Sequence, residues 1–300
     1  MGDHNETHIR METRPGEILA ACFVAMASPC EILFETNDVN AATVLSNLAA
    51  QECWRIERKF SRYRQDSIVT RINNSQGVPT VVDAETAALL DFAALCYKLS
   101  EGRFDISSGV LRRAWHFDGS DRLPAPAAIT ALLPLVGFDT LTWHAPQLIL
   151  PTGMELDFGG IGKEYAVDRA LALITEQADM PVLVNFGGDL CSNRRPHNGP
   201  WQVGIERPDS EQTAAMILEL TQGALATSGD TRRYLLKDGI RYSHILNPHT
   251  GWPITDAPRS VTVAASTCVE AGILATLALL QGAEAETFLA HHGVKYWCLR

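Results

Sequence analysis

The sequence predicts an α+β protein with antiparallel sheets packed against helices. Three observations carry this: short β-patterned runs come in pairs across tight turns, amphipathic helical stretches are interleaved with them, and three strand-like runs end on glycine-rich turns. There is no repeat of fixed period, no low-complexity tract and no Pro/Gly/Ser-rich linker to divide the chain. The expected organisation is a loose tail over residues 1–16, then one domain over 17–300.

The elements follow in order. Residues 18–26 and 30–35 are apolar runs on either side of Ala27-Ser28-Pro29, a hairpin pattern. Residues 40–58 predict a helix capped by Asn40, with Val44, Leu48, Ala49, Cys53 and Ile56 along one face. An aromatic and charged segment, 60–67, runs on to 74; its Tyr63 reads either as a surface tyrosine or as a platform for a flat ring. Residues 83–101 predict a second helix with Gly102 as its C-cap. A short helical stretch then reaches Trp115, a minor helix covers 124–135, and a second hairpin pairs 140–144 with 147–150. Residues 154–158 predict a strand that turns through Gly159, Gly160 and Gly162 into a helix over 163–177. Strands are expected at 181–186, 201–206, 214–220, 224–226, 240–243 and 259–264. The segment 266–281 is apolar nearly all round, the mark of a buried helix, and a helix over 283–292 and a strand over 295–299 close the chain.

Composition narrows the function. Hydrophobic residues make up 46% and charged residues 20% of 300, ordinary for a globular protein. A net charge of −10 argues against a nucleic-acid binder, which needs Lys and Arg clusters to neutralise phosphates. Seven cysteines with no Cys-x-x-Cys pair disfavour a disulfide framework or a structural zinc site, and they suit a reducing, cytoplasmic setting. The first apolar run, 18–27, is too short to span a bilayer, so no membrane insertion is expected.

The chemistry centres on residues 155–170, where three glycines lead into a helix with Lys163 at its start. Backbone amides of a helix's first turn attract anions, and a lysine beside them adds a cation, so a phosphate or pyrophosphate fits there. The spacing is neither the dinucleotide fingerprint nor a Walker loop, and a plain tight turn explains the stretch equally well. Downstream stand Asn185-Phe-Gly-Gly-Asp189, Thr227-Ser-Gly-Asp230 and His244-Ile-Leu-Asn-Pro-His-Thr-Gly251. If these turns converge, Asp157 with Lys163, Asp189, and Ser228 with Asp230 line one cleft. His244, held before a rigid Asn247-Pro248 turn, is the candidate general base; a surface histidine is the plain alternative.

Taken together the motifs resemble the ApbE family, the FAD:protein FMN transferases. The pieces that match are Met26-Ala-Ser, Phe60-Ser-Arg-Tyr63 with Ser67, Gly102-Arg-Phe-Asp105, and Asp157-Phe-Gly-Gly-Ile-Gly-Lys163 with Tyr165 and Asp168. The three downstream turns and Ser260-Val-Thr-Val263 complete the set. The resemblance implies a T-fold-like architecture and an FAD site. Tyr63 would stack on the isoalloxazine, Met26 and Arg103, Phe104 and Asp105 would line the flavin and ribityl chain, and Asp157 and Lys163 would hold the adenylate half, with Ser228 at the same site. The implied reaction is attack by a Thr or Ser hydroxyl of a client flavoprotein on the FMN phosphorus of FAD, with AMP leaving, His244 as base and Mg²⁺ on the phosphates.

The chain departs from the family at the metal site, which implies an Asp and a Thr four residues apart on the helix after Ser260–Val263. Thr276 is present, but Gly272 stands where the Asp should be. The Gly160 carbonyl, a family metal-ligand position, remains. Glu270 is six residues from Thr276 and faces elsewhere, while Asp230 or Asp157 is expected as a possible replacement reaching in from a loop. Glu164 replaces a usual Gly, and Asn247 a usual Asp. Three readings follow: Mg²⁺-dependent FMN transfer, an FAD-binding carrier or assembly protein, and an FAD pyrophosphatase giving FMN and AMP.

Overall fold

The computed structural model describes residues 8–207, 210–230 and 233–300. Strand β1 (Arg10–Arg14) precedes the expected hairpin of β2 (Ile18–Ala25) and β3 (Ser28–Glu35). Met26 and Ala27 form the two-residue turn with φ of 51° and 55°, a left-handed pair that Asn-Gly more often supplies. Because β1 pairs along β2 from Arg10↔Cys22 to Arg14↔Ile18, the loose tail expected over 1–16 is corrected: sheet begins at Arg10, and residues 1–7 lie outside the described residues.

Helix α1 (Val39–Phe60) buries Ala42, Leu45, Ala49, Cys53 and Ile56 at helical spacing. Its N-cap is Asp38 rather than Asn40, accepting from the Ala41 amide at 2.9 Å. Short α2 (Ile68–Asn73) is capped by Ser67, and β4 (Thr80–Val81) leads to α3 (Ala84–Leu99), capped by Asp83. The C-cap of α3 is Ser100, not Gly102. A Schellman motif follows: the Gly102 amide donates to the Tyr97 carbonyl at 2.8 Å and the Glu101 amide to that of Lys98 at 3.3 Å. A 3₁₀ turn over Ile106–Arg113 and helix α4 (Pro126–Leu132) precede β5 (Thr142–His144) and β6 (Gln147–Ile149), the second expected hairpin.

Residues 154–158 form no strand and lie outside the sheets. Their alternation of apolar residues reflects burial instead: the Leu156 amide donates to the Asn73 side chain at 2.7 Å, the Leu156 carbonyl accepts from it at 3.0 Å, and the Asp157 amide donates to the Ile106 carbonyl at 2.8 Å. The chain continues as α5 (Gly162–Gln177), β7 (Val182–Phe186), β8 (Asp189–Ser192), β9 (Trp201–Arg207), β10 (Ser210–Leu220) and β11 (Gly223–Gly229). Then come β12 (Tyr234–Lys237), β13 (Ile240–Ser243), β14 (Ser260–Ala265), α6 (Cys268–Leu280), α7 (Ala285–His291) and β15 (Lys295–Leu299).

The main sheet has eight strands in the order β1-β2-β3-β7-β8-β11-β14-β15, and every pairing in it is antiparallel. Alternate residues of a strand face opposite sides. Val182, Val184 and Phe186 enter the main core with α1 and α5, while Leu183, Leu190 and Leu225 pack against Trp201, Val203 and Leu220 of the β9–β10 ribbon. Helix α6 lies on β11 and β14. Among the described residues no helix is long and apolar enough to cross a membrane.

Candidate active site

The turn into α5 is built from Asp157 onward. The Asp157 carboxylate accepts from the Gly159 amide at 3.0 Å, and the Ile161 and Gly162 amides donate to the Phe158 carbonyl. No side chain caps α5, so with the Gly162 amide already used, the Lys163 and Glu164 amides of its first turn remain available to an anion. Gly160 leaves room for the ring of Phe104, which an added Cβ would approach at 3.2 Å.

Lys163 forms an ion pair with Asp189, the first residue of β8. Burial works against the lysine's charge, but the Asp189 carboxylate, with Glu164 behind it, outweighs burial and the Lys163 pKa rises. Asp189 is 2% exposed and also accepts from the Thr227 amide at 3.0 Å, which ties α5 to the strand that carries Ser228. The Ser228 hydroxyl in turn accepts from the Thr276 hydroxyl of α6 at 3.2 Å. Gly187 abuts Ser28, with a would-be Cβ 2.8 Å from that side chain and 3.7 Å from Cδ of Lys163. The Met26 turn therefore lies on the Lys163 side of the sheet. The expected convergence of turns holds for these three: the α5 entry, β7–β8 and the end of β11.

A second group centres on Arg62, which the sequence reading passes over. It pairs with Asp157, donates to the Tyr63 hydroxyl at 2.8 Å and stands 5.0 Å from the Tyr63 ring centroid. Tyr63 is 72% exposed, an open platform. Arg103 is bonded to Gln281 at the end of α6. Phe104 is buried against Gly160. The Asp105 carboxylate is committed within the fold: one oxygen accepts from the Ser107 amide and hydroxyl, both at 2.7 Å, and the other from the Phe138 amide at 3.0 Å. Burial raises its pKa.

His244 follows β13 and is half-buried. Its Nδ1 lies 3.0 Å from the Arg233 carbonyl; a carbonyl only accepts, so Nδ1 carries the proton and Nε2 keeps its lone pair. Burial lowers its pKa, with the Arg233 carbonyl pulling the other way. Among the described residues no hydrogen bond joins His244 to the Lys163 group; Asp230 relates them, two residues after Ser228 and bonded to Arg241 of β13 at 2.9 Å.

The metal position takes an unexpected form. Asp230 is held by Arg241 and, at 3.0 Å, by Arg259, and Asp157 is held by Arg62, so neither replaces the missing carboxylate. Glu270 is used at the start of α6: its amide donates to the hydroxyl of the N-cap Thr267 at 3.2 Å and its carboxylate accepts from the Ser266 amide at 3.2 Å. Glu164, by contrast, is buried at 8% exposure with Oε2 unpartnered. Burial, reinforced by the Asp189 charge, pushes its pKa up to about 7. Among the described residues no three His, Cys, Asp or Glu side chains cluster to hold a metal. An orphaned buried carboxylate oxygen on α5 and the Thr276–Ser228 hydroxyls on its packing partners α6 and β11 nevertheless fit Mg²⁺, which needs only one or two carboxylates and keeps several waters.

The ApbE family pattern matches residues 26–298. A curated relative from Vibrio cholerae, an FAD:protein FMN transferase, is 32% identical over 237 residues, covering 76% of this chain and 71% of its own length. One from Salmonella typhimurium, of the same name, is 34% identical over 225 residues, covering 71% of this chain and 64% of its own. The crystal structure of the ApbE protein from Thermotoga maritima superposes with a TM-score of 0.84 at 26% identity, covering 97% and 94% of the two chains. The apo flavinyl transferase ApbE from Pseudomonas stutzeri gives 0.82 at 28% identity, covering 97% and 92%. Fold and matches define the class, a transferase enzyme. Within that class, the chain belongs to the ApbE family.

Proposed function

We propose that this chain transfers FMN from FAD to a Thr or Ser hydroxyl of a client flavoprotein, releasing AMP. The observation that carries this reading is the uncapped first turn of α5, with Lys163 at its start and Asp189 linking it to the strand that bears Ser228. That is a site for phosphates, and the exposed Tyr63 held by Arg62 supplies an aromatic platform for a flat ring. In this reading Tyr63 stacks on the flavin, Met26, Arg103 and Phe104 border the flavin half, and Asp157 and Lys163 hold the adenylate half. Asp105 acts by shaping the Arg103–Phe104 backbone, since its carboxylate is already used.

In the reaction the acceptor hydroxyl oxygen bonds to the FMN phosphorus, the bridging P–O bond breaks, and AMP departs with the bridging oxygen. Nε2 of His244 takes the hydroxyl proton. The Arg233 carbonyl fixes the tautomer that leaves this nitrogen free, and burial keeps the ring neutral near pH 7. When bound, Mg²⁺ neutralises charge on the phosphates; the Gly160 carbonyl and the Thr276 hydroxyl would hold it. Seven free thiols support a cytoplasmic setting.

Incubation with FAD and Mg²⁺, with and without a client flavoprotein, tests this. AMP that appears only with the client, together with a covalently fluorescent client, is the expected result. AMP without a client would mean hydrolysis, and bound FAD with neither product a binding protein. His244→Ala should slow AMP release by about 10²–10⁴-fold.

A further inference from the structure

We infer that Glu164, on the first turn of α5, is the carboxylate ligand of the divalent-cation site, reaching across the helix pair into the space above Gly272. The cation's task rests on the flavin-transfer reading; its place rests on the packing of α5 against α6. Two contacts fix that packing. Asp168 accepts from the Cys268 and Val269 amides at 2.8 and 2.9 Å, clamping the start of α6. One turn nearer the start of α5, Glu164 Cγ lies 2.6 Å from where a Cβ on Gly272 would stand, and its Oε1 2.9 Å. The helices therefore run antiparallel with 164 opposite 272 and 168 opposite 268. Thr276, one turn beyond Gly272, lies toward the glycine turn that opens α5.

Gly272 is thus a socket for the Glu164 side chain, and the socket delivers a carboxylate to the helix face that presents Thr276. A buried carboxylate oxygen without a donor is costly and rare, and a bound cation satisfies it. The neighbouring acids are occupied: Asp157 by Arg62, Asp189 by Lys163 and the Thr227 amide, Asp168 by α6, Asp230 by two arginines. Lys163, adjacent in sequence, is spent on Asp189. Glu164 alone of these has an oxygen free for an ion.

The test is Mn²⁺ binding, read by the loss of the free-ion electron paramagnetic resonance signal, on the full chain with and without FAD. Thermal unfolding serves as the fold control. Glu164→Gln, nearly the same shape, should weaken Mn²⁺ binding by at least the roughly 10–100-fold that changes to outer-shell groups cost. Glu164→Gly should do the same, and Glu164→Gly with Gly272→Asp should bring binding back to within about threefold of the original chain, a difference below 1 kcal/mol. Unchanged binding in Glu164→Gln, absence of Mn²⁺ binding in the original chain, or a stable double variant that stays weak would each overturn the assignment. Client flavinylation by the original chain is scored separately. Mn²⁺ binding through Glu164 without transfer leaves the site standing and removes the reaction; transfer with Mn²⁺ binding indifferent to Glu164 does the reverse.

Discussion

Glu164 and Gly272 share one side-chain volume: a Cβ on Gly272 would come within 2.6 Å of the Glu164 Cγ. Gly272→Asp alone therefore overfills the contact between α5 and α6 and sets a second carboxylate beside a buried one. The expected cost is about 1–3 kcal/mol, seen as a lower Tm. Adding Glu164→Gly should recover most of it, so the two changes are strongly non-additive. Simple addition of the two effects would contradict the shared volume.

Arg62 joins the anion-binding turn, through Asp157, to the aromatic platform, through Tyr63. Arg62→Met should release both and weaken FAD binding about tenfold, or ~1.4 kcal/mol. Because Arg62 is half-buried at the edge of the fold, Tm should change little. Quenching of flavin fluorescence on titration gives the affinity, and an unaltered value would remove Arg62 from the site.

Glu85 holds three elements together. Its carboxylate accepts from Arg55 and Lys59 of α1 at 2.6 Å each and from the Tyr165 hydroxyl of α5 at 2.8 Å. Burial opposes its charge, but these donors outweigh burial and hold the pKa at about 2 against an ordinary 4.5. A depressed carboxylate pKa adds stability that is complete above the unfolded-state value and disappears as pH falls from 4.5 toward 2. After allowance for solvent screening, Glu85→Gln should cost about 1 kcal/mol at pH 7 and almost nothing near pH 2. Urea unfolding at several pH values measures the difference, which a pH-independent gap would contradict.

At the end of α3, Glu101 occupies the left-handed position of the Schellman motif with φ of 53°, where glycine is usual. Glu101→Gly should stabilise the protein by up to about 1 kcal/mol by removing the strain of a side chain in that region. Glu101→Ala, which keeps the Cβ, should not. A Tm comparison of the two separates backbone strain from loss of the charge.

Periodic elements are legible in the sequence because their signal is local. The β2–β3 hairpin and helices α1, α3, α5 and α6 form where expected, with boundaries displaced by a residue or two where Asp38 and Ser100 take the caps. Along α1, Ala49, Cys53 and Ile56 lie on the buried face as expected, but Val44 is 68% exposed and Leu45 is buried beside it instead. Strands β8 and β12 escape notice because four residues beside a turn carry too little pattern. Residues 154–158 mislead because apolar and acidic residues alternate there without a strand partner: Asn73 supplies bonds to Leu156, and Glu155 is buried beside the apolar residues. Among the site residues, single chemistries such as Lys163 at a helix start can be read directly. Arg62 with Asp157, and Glu164 with Gly272, are pairs 95 and 108 positions apart. Only the register of packed elements brings them into contact, so Gly272 read alone looks like a loss.

The order of the main sheet also sets a schedule for synthesis. Cys30 of β3 pairs with Phe186 of β7, so the N-terminal hairpin emerges from a ribosome with one edge bare. At about 5–20 residues per second, roughly seven to thirty seconds pass before its partner strand is made. During that interval β3 is an open template for strand addition, shielded by whatever α1 covers and by the charges of Glu31 within the strand and Glu35 at its end. Yield of this protein in a cell should therefore respond to translation speed and to chaperones that cover nascent strands.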